Sequence, residues 1–347
     1  MEIVSRGEAE NIAPRAAVSA PVIADLAGKT AWIVSDGRAG HLAITLGIAE
    51  ALGVKAEVKP VAPGWPHAML APWGPARQGF IDELMSQPWP AIALGAGRQT
   101  VPAIRALKRR SAGRIFTVLG HDPRTGLGSA DLIWVPQHDR LRGENVVATL
   151  TPPHRYGPAR LAGLRVNVHP EIARRPGPFC AVFVGGPGGG YAWTAEDIGR
   201  FAACLKSMSR QGGSFLITPS RRTPPALLAA VDEATAGTPR WLWRGKGENP
   251  YPAFLAHADA FIVTADSVNM AGEASATGRP IHVFHPQGGR PKFRLYHQAL
   301  EAHGATRPLI GSAMPAKAWS YAPLDAASEV AAEIISRWRL SPAASCA

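Results

Sequence analysis

Cysteine is scarce in this chain: only three occur among its 347 residues, at Cys180, Cys204 and Cys346. Their spacing fits neither a disulfide framework nor a set of metal ligands, so we expect a reducing compartment. Long apolar runs are also lacking, since no stretch approaches the roughly 20 residues that a membrane-spanning helix needs. Residues 1–28 carry four acidic side chains and no sustained apolar segment, which argues against a secretory signal or a transit peptide. We interpret them as the flexible leader of a cytoplasmic protein.

Charged residues make up only 18% of the chain, and acidic ones are the minority, so the formal net charge is +11. A basic surface attracts nucleotides, anionic lipid surfaces and nucleic acid alike. Nucleic acid is the least favoured of these partners, because no recognition motif accompanies the charge. The chain length predicts two domains. Its 36 glycines and 32 prolines indicate a globular protein that is rich in loops.

Short apolar runs alternate with helical patterns along the chain, and several of the runs end in glycine. Parallel strands buried on both faces give this pattern. The predicted strands cover residues 30–35, 91–94, 115–119, 132–135, 179–184, 214–218, 241–243, 260–264 and 280–284. The fold class is therefore predicted as α/β, with two Rossmann-like, doubly wound domains facing each other across a cleft. The predicted divisions are a leader at 1–28, an N-terminal domain at 29–170, a C-terminal domain at 178–324, and a closing helix with a tail at 325–347.

The glycine loop at 185–190 is the first candidate for ligand binding. It reads Gly-Gly-Pro-Gly-Gly-Gly between a predicted strand and a predicted helix. Such a junction presents backbone N–H groups and the positive end of a helix dipole, which suits a diphosphate, although a tight turn has the same composition. A P-loop and a dinucleotide-binding glycine pattern are both absent from the sequence. The predicted diphosphate-binding residues are Gly185, Gly186, Gly188 and Gly189, together with Arg221 and Arg222 after the next strand, unless these arginines are solvated surface residues.

A second candidate segment, residues 264–280, follows a later apolar strand. Ser267 is placed to cap the helix that follows, and Glu273 lies about two turns further on. A carboxylate there can accept two hydrogen bonds from a diol such as a ribose. The alternative is an ordinary capped helix with one exposed glutamate.

These loops and the segment that bears Glu273 resemble a GT-B glycosyltransferase, in which the nucleotide sugar binds mainly to the C-terminal half and a late glutamate contacts the ribose. Four longer strings are similar to the mitochondrial fission (elongated mitochondria, ELM) family and its bacterial relatives. They are Asp-Gly-Arg-Ala-Gly-His at 36–41, Pro-Gln-His-Asp-Arg-Leu at 136–141, Gly-Glu-Asn-Pro-Tyr at 247–251 and Thr-Ala-Asp-Ser at 264–267. The resemblance implies the GT-B fold over most of residues 30–312. Plant members are linked to recruiting the fission machinery at the mitochondrial surface.

Residues 37–41 are similar to the Gly-Gly-His loop of the lipid-linked N-acetylglucosamine transferase that builds the peptidoglycan precursor. The similarity implies that His41 is a general base, because a neutral imidazole accepts a proton from a hydroxyl near neutral pH. A capping or packing histidine is the alternative. Lys292 and Tyr296 replace the glutamine and asparagine of that enzyme's sugar site. The predicted acceptor-side residues are Gly37, Arg38, Gly40, Gly97 and Arg98.

The predicted function is transfer of a sugar from a nucleotide-diphosphate sugar, which serves as substrate, with no cofactor and no metal. The sequence has neither an Asp-x-Asp pair nor a cluster with ligand spacing, so N–H groups and arginine would neutralise the phosphates. The alternatives are a nucleotide-sugar epimerase and a non-catalytic adaptor that recruits a protein partner at the inner face of a membrane. Trp65 and Trp73 are the candidates for contact with an anionic membrane surface, and core packing is the other explanation for them.

Overall fold

The computed structural model describes residues 25–62, 64–310 and 319–346, so the predicted leader lies outside it through residue 24. Within these ranges the chain forms two six-stranded sheets, and every neighbouring pair of strands is parallel. The predicted α/β class with two doubly wound halves is confirmed. No helix of the described residues is long and apolar enough to cross a bilayer.

The first half contains the sheet whose strands are β1 Thr30–Ser35, β2 Lys55–Pro60, β3 Ile92–Ala96, β4 Phe116–Gly120, β5 Leu132–Pro136 and β6 Val146–Thr149. Its helices are α1 Ala39–Leu52, α2 His67–Leu70, α3 Gln78–Met85 and α4 Val101–Arg110. The strand order is β2-β1-β3-β4-β5-β6. Strands β1, β3, β4 and β5 are almost wholly buried, which is why their apolar runs could be recognised in the sequence.

The second half contains the strands β7 Phe179–Val184, β8 Ser214–Pro219, β9 Arg240–Leu242, β10 Ala260–Thr264, β11 Ile281–Phe284 and β12 Thr306–Pro308. The helices from here to the end of the described chain are α5 Pro158–Val166, α6 Pro170–Ala173, α7 Ala195–Met208, α8 Pro225–Ala234, α9 Tyr251–His257, α10 Val268–Ser275, α11 Pro291–Ala302, α12 Ala326–Arg339 and α13 Pro342–Cys346. The strand order is β12-β11-β10-β7-β8-β9.

The packing of the connections shifts the predicted domain boundary. Leu161 and Ile172 belong to the core beneath the second sheet, so α5 and α6 pack with the C-terminal half, and the predicted end of the first domain at residue 170 is too late. The chain crosses between the halves near Gly157. Helix α12 crosses back and buries Ile334 against the core of the first sheet. The two crossings are adjacent, because a Cβ on Gly157 would lie 3.3 Å from the Asp325 carboxylate.

The strand order reverses once in each sheet, between β1 and β3 in the first and between β7 and β10 in the second. In open parallel sheets, ligands bind at the carboxyl ends of the strands where the order reverses. The loops that follow these four strands therefore mark the place to search for a site. They begin at Asp36, Gly97, Gly185 and Ala265.

Candidate functional site

A cavity of about 320 Å³ lies between the two halves at the carboxyl ends of their strands. The first half contributes Gly40, His41, His121, Trp134 and His138 to its wall. The second half contributes Arg222, Asp266, Ser267, Asn269, Lys292 and Phe293. Histidines thus line one side and cationic side chains the other. This division separates groups that can move a proton from groups that can hold an anion.

His41 is held in one orientation by two contacts. Its Nδ1 lies 2.9 Å from Oδ2 of Asp36, whose carboxylate is buried at the end of β1. Because a carboxylate only accepts hydrogen bonds, this contact places the proton on Nδ1 and the lone pair on Nε2. Gly97 packs against the ring near Cε1 and Nδ1, where a Cβ would overlap it. The pair Asp36–His41 therefore presents a basic nitrogen at the cavity that His41 lines.

His121 stands beside His41, with ring centroids 5.6 Å apart. It follows β4 with a φ of +73°, and its N–H donates to the carbonyl of Trp134 at 2.7 Å. Burial, and secondly the electrostatic effect of the neighbouring His41, lower the pKa of His121 to about 4. Burial also lowers the pKa of His138. The ring of His121 is thus neutral at pH 7, and burial favours the neutral form of His138.

The amino end of α10 supplies the opposite wall. Ser267 is the N-cap residue, but its hydroxyl makes no capping bond, so the predicted cap is wrong. The backbone N–H groups of Val268 and Asn269 have no acceptor among the described residues. Lys292 and Arg222 line the same cavity. Unpaired helix N–H groups beside two cationic side chains form a favourable environment for an anion.

The glycine loop after β7 is engaged within the protein. The N–H of Gly185 donates to Oγ1 of Thr264 and that of Gly186 to Oδ2 of Asp266, both at 2.8 Å. The N–H of Gly188 donates to the carbonyl of Tyr191. A Cβ on Gly185 would overlap the Asp266 carboxylate, which explains a glycine there. These three N–H groups are not available to a diphosphate. The cationic side chains and unpaired N–H groups that line the cavity are those of Arg222, Lys292 and the amino end of α10.

Asp266 and Arg222 form a pair at the edge of the cavity. Oδ2 of Asp266 lies 3.5 Å from Nη2 of Arg222, and Nη1 donates to the carbonyl of Pro187 at 3.2 Å. Burial raises the pKa of Asp266, whereas the Gly186 N–H and the guanidinium oppose that shift. Arg222 is therefore oriented by the protein itself. Arg221, which we predicted as its partner, is exposed and does not line the cavity.

Glu273 lies in a tight crevice beside the cavity, with Gly40, His154 and Asn269. It accepts a hydrogen bond from the hydroxyl of Tyr251. Burial raises the pKa of Glu273 to about 7, against the effect of that bond. A role in binding ribose stays a prediction.

The other predicted residues fall outside the centre of the site. Gly37 forms a turn with a φ of +78°, and Arg38 is exposed. Arg98 is exposed and donates to the carbonyl of Ala68. Tyr296 is buried and donates its hydroxyl to the carbonyl of Val268. Sequence reasoning missed Asp36, His121 and Asp266, although Asp36 could have been noticed from its place five residues before His41.

Among the described residues, no group of three or more His, Cys, Asp or Glu side chains is arranged to hold a metal ion. Independence of a metal stays a prediction.

The sequence profile of the family described as Mitochondrial fission ELM1 matches residues 39–338. The chain belongs to the mitochondrial fission ELM1 family. The predicted family is thus confirmed. Mitochondrial fission protein ELM1 of Arabidopsis thaliana is 28% identical to this ELM1-family chain over 269 residues, which cover 71% of the chain and 63% of the plant protein. An uncharacterized protein of Rickettsia prowazekii (strain Madrid E) is 32% identical over 162 residues, which cover 45% of this chain and 46% of the Rickettsia protein. The ELM1-family chain therefore spans less than two thirds of either relative.

Solved structures share the fold of this ELM1-family chain. The UDP-GlcNAc 2-epimerase of Neisseria meningitidis, determined bound to UDP-GlcNAc, superimposes with a TM-score of 0.51 at 12% identity. The match covers 80% of this chain and 86% of that one. The predicted GT-B-like arrangement is confirmed as a fold.

Proposed function

We propose that the cavity binds a nucleotide-diphosphate sugar and that the protein transfers the sugar to an acceptor hydroxyl. The observation that carries the proposal is the Asp36–His41 pair, which lines the same cavity as an anion site built from α10, Arg222 and Lys292. A glycosyl transfer needs a base for the acceptor at one end and stabilisation of the leaving diphosphate at the other. The two walls supply these two functions separately.

The proposed reaction assigns each group a task. Nε2 of His41 takes the proton of the acceptor hydroxyl while its oxygen bonds to the anomeric carbon. The bond from that carbon to the diphosphate oxygen breaks, and the nucleoside diphosphate leaves with the bonding electron pair. The α10 N–H groups, Lys292 and Arg222 stabilise the added negative charge. Asp36 stabilises the imidazolium and does not touch the substrate.

Uridine nucleotides are the first ligands to test, because the Neisseria epimerase of the same fold was determined with UDP-GlcNAc. The test is calorimetric titration of the purified chain with UDP and UDP-GlcNAc, then with the guanosine, adenosine and cytidine counterparts, with and without EDTA. We expect saturable binding that EDTA leaves unchanged. Arg222→Ala should weaken that binding roughly tenfold or more, since a charge-assisted hydrogen bond is lost.

Arg221→Ala is the matched control. It removes the same charge from the neighbouring position, and the Arg221 side chain does not line the cavity. If Arg221→Ala weakens nucleotide binding as much as Arg222→Ala does, the attraction is general and the proposed donor site is wrong. If no nucleotide binds at all, the transferase proposal fails.

Membership of the fission family favours a second candidate, a GT-B-shaped adaptor that recruits a protein partner without catalysis. His41→Ala combined with Arg222→Ala separates the two candidates. A transferase loses sugar transfer in this variant, whereas an adaptor retains capture of its partner. Conversion of UDP-GlcNAc into a sugar epimer, followed by proton NMR, would instead indicate the epimerase that we considered from the sequence.

A further inference from the structure

An exposed apolar segment follows β2 and has no part in the cavity. Within residues 64–76, Trp65 is 82% exposed, Met69 70%, Trp73 62% and Leu70 49%. Four large apolar side chains within nine residues form a contiguous stretch of a kind that monomeric proteins seldom expose without using it for binding. Tryptophan favours a boundary between water and an apolar phase, and methionine is common at surfaces that bind apolar partners.

Hydrogen bonds fix the backbone of this segment to the first half. Nη2 of Arg98 donates to the carbonyl of Ala68 at 3.1 Å, and Nη1 of Arg105 donates to that of Trp73 at 3.3 Å. The indole of Trp73 donates to the carbonyl of Arg124 at 3.2 Å. The apolar side chains are therefore presented outward by a supported backbone.

The charge around the segment is positive. The sequence has no acidic residue from 58 to 81. Three arginines are hydrogen-bonded to the segment and a fourth, Arg77, directly follows it; no ion pair among the described residues involves Arg77, Arg98, Arg105 or Arg124. Asp122, which accepts the N–H of Arg124, and Asp131 are the acidic residues of the loop between β4 and β5, and Asp131 pairs with Lys108. Exposed tryptophans beside arginines without ion-pair partners match the headgroup region of an anionic bilayer, where the negative surface potential attracts basic side chains.

The segment lies at the end of the first sheet where the strands have their carboxyl ends, and the cavity lies at the same end. It follows the carboxyl end of β2, and parallel strands place their carboxyl ends at one edge. Arg124, whose carbonyl accepts the hydrogen bond from the Trp73 indole, is three residues after His121 of the cavity wall. A surface that contacts Trp65 and Trp73 would thus lie beside the acceptor side of the cleft.

We propose that residues 64–76 dock the protein on an anionic lipid surface. The tryptophans and Met69 enter the interface between headgroups and acyl chains, and the arginines pair with lipid phosphates. The inference goes beyond the proposed function and does not depend on it.

The test is co-sedimentation of the full chain with vesicles of pure phosphatidylcholine and with vesicles in which one third of that lipid is replaced by phosphatidylglycerol. We expect binding to the anionic vesicles that weakens as salt is added. Trp65→Ser with Trp73→Ser should bind at least tenfold more weakly. Val166→Ser with Leu340→Ser is the matched control, because it removes two apolar side chains that are 78% and 88% exposed on other elements. This control should bind as the unaltered chain does.

Circular dichroism checks that each variant is folded. Should the double tryptophan variant fail to fold, Trp65→Ser alone suffices, since only the Trp73 indole bonds to another loop. The proposal is overturned if anionic vesicles do not bind the chain, if the tryptophan variants bind them equally well, or if the control loses binding to the same extent. A protein partner that needs Trp65 and Trp73, without any binding to vesicles, would also overturn it.

Discussion

Gly97 and His41 are in direct contact across the point where the strand order of the first sheet reverses. The glycine has a φ of +86°, and a Cβ there would overlap the imidazole. The orientation of His41 therefore depends on Asp36 and on the lack of a side chain at position 97.

Gly97→Ala should lower the free energy of unfolding through backbone strain of about 1 kcal/mol plus displacement of the His41 ring. Gly304→Ala is the matched control, because Gly304 has a φ of +84° and open space around its Cβ position. Urea unfolding of both variants isolates the contribution of the contact. Equal losses in the two variants would show that the ring does not resist the new methyl group.

Asp36→Asn should reduce sugar transfer by roughly a hundredfold or more, because an amide no longer fixes the proton on Nδ1 of His41. The affinity for UDP should stay unchanged, since Asp36 is not a group of the anion site. Initial rates of UDP release and calorimetry measure the two quantities. Glu83→Gln, which makes the same carboxylate-to-amide change at an exposed position of α3, should leave both as they are. A drop in UDP affinity matching the drop in rate would contradict the assignment.

Glu273→Gln should change how stability depends on pH. The pKa of Glu273 is raised to about 7 in the folded chain, so ionisation costs stability as pH rises from the unfolded value towards 7 and above. Between pH 5 and pH 8 the unaltered chain should lose about 2 kcal/mol relative to the glutamine variant. Tyr251→Phe should enlarge this loss, because it removes the hydroxyl that donates to the carboxylate. Parallel urea titrations at the two pH values give the difference, and identical pH slopes would refute it.

His282→Gln should change how far the free energy of unfolding falls at acidic pH. Burial, and secondly Arg307, lower the pKa of His282 to about 4, so the folded chain resists a proton that the unfolded chain takes up near pH 6.5. Stability from this group is present above that pH and is lost as pH falls towards 4. From pH 7 to pH 5 the unaltered chain should lose about 2 kcal/mol more than the variant. A loss of equal size in both would show that His282 is not the group that titrates.

All but one of the strands that could be predicted are almost wholly buried. The exception is β9, a half-buried edge strand with an apolar sequence. The three that were missed, β2, β6 and β12, all lie at sheet edges, and β2 carries charged, exposed residues. An edge strand needs no apolar run, so the pattern that identifies central strands is lacking there.

His41 was predicted from the sequence, and its partner Asp36, although missed, lies only five residues before it, where a local pattern could have shown it. The bond from Gly186 to Asp266 joins residues 80 positions apart. It exists because β10 lies next to β7, and strand order cannot be read from local patterns. The glycine loop was accordingly predicted to bind a phosphate. In the structure, the N–H of Gly186 instead donates to the carboxylate of Asp266.

The two chain crossings meet at Gly157 and Asp325, and their adjacency determines how the halves can move. Covalent connections that run side by side act as a hinge, so rotation about the line through them leaves both sheets intact. Such a rotation changes the gap between His41 on one half and Arg222 on the other. We therefore expect the cleft to open and close mainly by rotation about these crossings, and a ligand that contacts both walls to favour the closed arrangement.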